Sequence, residues 1–158
     1  MKKLSLIIIS VFLIFQTSFA STYSSDPKIF VEELVNDAIK KLSDKNIDKE
    51  EKEDFIKKIA LENVDIDAIS MYTLGSIRKT LDQDTLKKYK ELFKKYFLKS
   101  LTSRLTDYSE QKFEVLSVEQ KTETTTIVTS RIVKSSSQPE LKVEWRIYTK
   151  NPMKPLIR

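Results

Sequence analysis

The hydrophobic period of this chain changes once, near Tyr108, from helical to stranded, and that switch restricts the fold more than any other feature. Before it, apolar residues recur every three to four positions. Asp26 and Pro27 read as a cap with proline in the first turn. Phe30, Val31, Leu34, Val35, Ala38, Ile39 and Leu42 then mark one helix face, with Glu32 and Glu33 expected in its first turn. Asp48 to Glu51 form a capping-box pattern ahead of Phe55, Ile56, Ile59 and Ala60. A short third helix starts near Asp65 or Asp67 and carries Ile66, Ile69, Met71, Tyr72 and Leu74. A fourth starts near Asp82 or Asp84 and is expected to run past Leu105, of order 35 Å long.

After Tyr108 the alternation has period two. Lys112 to Glu119 alternates loosely around Phe113, Val115 and Val118, and Glu123 to Val133 is rich in Thr, Val and Ile. Lys134 to Pro139 reads as a turn. Leu141, Val143, Trp145 and Ile147 then point to one side of a strand, and Lys142, Glu144, Arg146 and Tyr148 to the other. A second turn covers Asn151 to Pro155, and Leu156 to Arg158 opens one more strand. Helices first and hairpin strands second predict an α+β fold. Its N-terminal helices pack on one face of a curved antiparallel sheet formed by the C-terminal half.

Gly75 is the only glycine. Placed just after a short apolar helix, it is expected to stop that helix at the position where left-handed φ is needed.

Lys2 and Lys3, the apolar run Leu4 to Phe15 and the small-x-small site Ser18 to Ala20 form an export signal, with cleavage expected after Ala20. The run is short for a membrane span, which takes roughly 20 residues. The expected product is a soluble periplasmic protein. Residues 21–158 suit a single domain.

With no cysteine and no histidine, the chain has no disulfide, no thiol or imidazole catalyst, and no histidine-based zinc site. Removing Lys2 and Lys3 leaves 26 basic against 23 acidic residues, a net charge of +3. The lysines are interleaved with acids, so no nucleic-acid partner is expected. Asp65 and Asp67 read as helix caps before they read as a catalytic pair. Lys87, Lys88, Lys94, Lys95 and Lys99 read first as the solvated face of the long helix, and second as a surface for anionic headgroups or a protein partner.

These elements, in order, resemble the MlaC/toluene-tolerance family of periplasmic phospholipid-binding proteins, the shuttle components of an ABC-transporter system. The resemblance rests on the export signal, the Pro27 helix, the Phe55 helix, and Val64-Asp65-Ile66 leading to Leu74-Gly75 and Arg78-Lys79. It continues through the helix with Phe93, Phe97, Leu101 and Tyr108, the Thr/Val strand, and Val143 to Tyr148. The family has an aromatic-basic pair after its Leu-Gly, where Ile77, Arg78 and Lys79 stand here. It also continues with a strand and a final helix, so a C-terminal strand and helix of about 40 to 50 residues are expected to be missing after Arg158.

The resemblance implies a monomeric carrier in intermembrane lipid transport and outer-membrane lipid asymmetry. Its implied partners are phospholipid, an inner-membrane ABC transporter complex and an outer-membrane lipoprotein complex. It implies no cofactor, no metal and no catalysis. The acyl pocket would be lined by Ile69, Leu74, Phe93, Phe97, Leu101, Tyr108, Val128, Ile132, Val143, Trp145 and Ile147. From spacing alone the same stripes are plain core. An exported α+β enzyme using Asp107 and Tyr108, or a purely structural domain, is the alternative.

Overall fold

The computed structural model describes residues 23–105, 112–133 and 140–158. The expected signal, Asp107 with Tyr108, and the serine-rich turn lie outside them. Four helices precede four strands: α1 Pro27–Ser43, α2 Lys49–Asn63, α3 Ile66–Thr73, α4 Gln83–Leu105, then β1 Lys112–Thr122, β2 Thr125–Val133, β3 Leu141–Tyr148 and β4 Leu156–Ile157. The strands form one sheet in the order β1-β2-β3-β4, and every neighbouring pair is antiparallel. This is an α+β fold.

The helix starts follow the aspartates. Asp26 accepts from the backbone of Lys28 and Ile29, Asp48 from Glu51, Asp65 from Ala68 and Asp82 from Thr85. Of the two candidates for α3, Asp65 is the cap; Asp67 lies in the first turn and pairs with Lys90 at 3.7 Å. Glu32 and Glu33 fall in the second turn of α1, not the first, because the helix already starts at Pro27. Glu33 instead reaches back to the Ser24 backbone N–H at 2.7 Å. Tyr23, beside Phe30, donates to Asp37 at 3.3 Å. Burial, reinforced by the Asp37 charge, pushes its phenol up to about 12.

Gly75 follows α3 with φ +55° and opens a single 3-10 turn, Gly75–Lys79. The threonine-rich stretch holds a hairpin turn as well as a strand. β1 runs on to Thr122, whose hydroxyl accepts the Thr124 N–H at 3.3 Å, so Glu123 and Thr124 make the bend before β2.

β2 and β3 share an inner face through the pairs Thr126–Ile147, Val128–Trp145, Ser130–Val143 and Ile132–Leu141. α1 lies against β1 and β2. Its first two turns bring Phe30, Val31, Leu34 and Val35 onto Val128 and Ile147, which makes the packed core. β4 is held on both sides. Ile157 pairs with Ile147, and its carbonyl accepts from the Asp65 backbone N–H at 2.9 Å.

A Cβ at Gly75 meets nothing within 4 Å, so only backbone strain opposes substitution. Gly75→Ala should lower stability by about 1 kcal/mol, and Gly75→Asn by less. Chemical denaturation with an unchanged slope measures both.

Candidate functional site

The sheet's inner face is longer than the core that covers it. Beyond Val128 and Ile147 the helices stand away from the strands and leave a cavity of about 430 Å³. α1 contributes Leu34, Val35, Ala38, Ile39 and Leu42, and α2 contributes Ile56, Ile59 and Ala60. Ile69 of α3 and Phe97, Leu101 and Leu105 of α4 close one side. Ile132, Leu141, Val143, Trp145 and Ile157 make the sheet wall.

Every lining side chain but one is hydrocarbon or aromatic. The exception, Arg158, sits at the end of β4, opposite Arg146, whose carbonyl accepts its N–H at 2.8 Å. Its guanidinium lies 3.4 Å from the Tyr148 ring centroid and bonds the Asp65 carboxylate at 2.7 and 2.8 Å. Strand alternation puts Tyr148 on the face away from Ile147, so this charge is drawn off the apolar side. Asp65 thus caps α3 with one oxygen and ties down the sheet edge with the other.

The indole of Trp145 is the other polar group the wall could present. Its N–H donates to the Ser130 hydroxyl at 2.8 Å, and that hydroxyl donates to the Val143 carbonyl at 3.4 Å. Ser130 is fully buried. The donor is satisfied inside the sheet layer, and the cavity sees only the ring. No buried side-chain nitrogen or oxygen among the described residues lacks a partner.

Of the eleven residues expected to line a pocket, six do so: Ile69, Phe97, Leu101, Ile132, Val143 and Trp145. Val128 and Ile147 share their face but are fully buried in the packed core. Leu74 ends α3, and its N–H bonds back to Ser70 and Tyr72. Phe93 packs between Tyr89 and Phe97 on the α3 side of α4, where Tyr89 meets the Thr73 hydroxyl at 2.8 Å. Tyr108 lies outside the described residues. The sequence reading missed the α1 and α2 wall. Its signal was present in Ala38 and Ala60, small side chains where a filled interface would carry large ones.

The cavity can hold hydrocarbon. It is about three times the ~150 Å³ void that accepts benzene, which suggests room for on the order of eighteen carbon atoms. It offers no acid, base or ligand set. The described residues include no buried carboxylate and no cluster of acidic residues that could hold a metal ion. No described helix is long and apolar enough to cross a membrane.

Ser130→Ala should strand the buried indole donor and lower stability by about 1–3 kcal/mol. A shift in Trp145 emission alongside denaturation would report it, since Trp145 is the only tryptophan.

The fold also occurs in a phospholipid-binding protein from Ralstonia solanacearum, solved in complex with a phospholipid. The TM-score is 0.66 at 12% identity, over 84% of this chain and 75% of that one. No curated protein matches the sequence. Residues 32–156 match the family described as MlaC protein, and the chain belongs to that family.

Proposed function

We propose that this member of the MlaC family is a phospholipid carrier that shields acyl chain in the cavity between α1, α2, α4 and the sheet. The apolar lining of that 430 Å³ space, with its one indole donor turned into the sheet and its one charge held at the edge, carries the reading. Burying a methylene gains about 0.8 kcal/mol, so a sixteen-carbon chain gains about 12 kcal/mol. That gain over water is about what the chain already has in a lipid aggregate, so the slot can hold it in transit at little cost and without polar recognition inside. The volume takes about one acyl chain, and the headgroup stays at the rim. The phospholipid in the Ralstonia solanacearum protein of the same fold supports the choice of ligand.

In the fuller form of this reading the chain is exported, cleaved after Ala20, and works in the periplasm as a monomer. It passes lipid between an inner-membrane ABC transporter complex and an outer-membrane lipoprotein complex, and so maintains outer-membrane lipid asymmetry. Residues 21–158 act as one lipid-binding domain with no cofactor and no catalytic step.

Lipid extraction and mass spectrometry of the purified protein test the carrier role. Wild type should carry phospholipid in near-stoichiometric amount. Val143→Glu puts a charge on the cavity wall at a half-buried position, and should cut bound lipid more than tenfold while circular dichroism stays native. Ile147 does not serve for this test, because it is wholly buried in the core and a charge there would unfold the protein. Ala38→Phe, which fills the cavity from α1 without adding charge, should reduce loading in the same way. Equal lipid content in wild type and both folded variants would refute the carrier reading.

A further inference from the structure

The outer side of α4 has a composition that neither the core nor the cavity explains. Lys88, Leu92, Lys95, Tyr96 and Lys99 fall within about 100° of helix arc, on the side away from Phe97, Leu101 and Leu105. No acidic residue of α4 falls in that sector. Tyr96 is 72% exposed and Leu92 is 55% exposed. The three lysines are exposed too, and none is ion-paired among the described residues. By contrast Lys90, on the α3 side of the same helix, is paired with Asp67. Among the described residues α4 packs chiefly onto α2 and α3, and the side chains of this face stay exposed.

A solvated helix face needs no exposed tyrosine and leucine set between unpaired cations. We infer that this face docks on an anionic phospholipid bilayer. The lysines extend their ammonium groups to phosphates while their stems lie on the apolar boundary. Tyr96 suits the headgroup level, where one end of the ring is apolar and the other wet. Leu92 supplies shallow insertion. A protein partner fits less well, because lysine is depleted from protein–protein interfaces whereas a charged lipid surface attracts it. The face lies across the helix from the cavity, so the inference is independent of what the cavity holds.

Co-sedimentation of the purified protein with two vesicle types tests it: phosphatidylcholine alone, and phosphatidylcholine with one-third phosphatidylglycerol. Wild type should bind the anionic vesicles at least tenfold better, and lose that preference near 1 M salt, where the screening length is ~3 Å. The triple variant Lys88→Gln, Lys95→Gln, Lys99→Gln should bind them roughly a hundredfold more weakly. Tyr96→Ser should weaken binding and leave the salt dependence unchanged. All three proteins share one N-terminal segment, so its contribution cancels, and the substituted side chains are exposed, so folding is retained. Equal binding to both vesicle types, or a triple variant that binds like wild type, would overturn the inference. Capture on a polyglutamate resin without vesicle binding would also overturn it, and would assign the face to an acidic protein.

Discussion

Four side chains with no solvent exposure hold the helical layer to the sheet: Phe30 and Val31 from the start of α1, Val128 and Ile147 from the two central strands. Everything else about the cavity depends on this contact being tight and lying at one end. It fixes the height of α1 above the strands. From there α1 continues over the sheet while its side chains become smaller at Ala38, about 12 Å further along the axis. The aromatic at one end holds α1 off the sheet, and the alanine at the other reaches less far across the gap. Small side chains on both α1 and α2, at Ala38 and Ala60, contribute to the space.

Satisfying polar atoms matters as much as leaving space. A void in a sheet protein fills with water when its walls offer donors or acceptors, and stays apolar when they do not. Here the two groups that could wet it are both diverted. Trp145 turns its N–H onto Ser130, which sits opposite Val143 in the register. Arg158 turns its guanidinium onto Asp65 and Tyr148. Serine within a β-branched strand is otherwise a poor choice. It fits at position 130 because the indole needs a partner there.

The fold was legible in the sequence because its periods are unmixed: helix starts fell on Asp26 and Asp48 and on one of each open pair, Asp65 over Asp67 and Asp82 over Asp84, and the strand starts at Lys112, Leu141 and Leu156 were read directly. The site was legible only as a face. Alternation along β3 groups Val143, Trp145 and Ile147 on one side, and the structure keeps that grouping while dividing it between core and cavity. Period two carries no information about which end of a face is covered. That depends on the angle and offset at which α1 crosses the strands, a tertiary quantity. The same holds for α4. Phe93 and Phe97 are one turn apart on one stripe, yet only the second lines the cavity.

The energetics bear on whether such a space persists unfilled. The space is open to solvent on one side, so what it costs unfilled is the exposure of its apolar wall to water, about 25 cal/mol per Å². A domain of this size is stable by about 5–15 kcal/mol in total. Two responses lower that cost: the walls approach each other, or something apolar enters. On the sheet side, β3 is flanked by β2 and β4, and β4 is bonded to Asp65, which stiffens that wall. α1 is anchored to the sheet at Phe30 and Val31. α4, the remaining wall, is fastened chiefly to α2 and α3. Under the proposed carrier role, hydrocarbon in the slot removes the penalty. The empty protein then exposes apolar wall that the loaded protein covers, which favours loading wherever lipid is available.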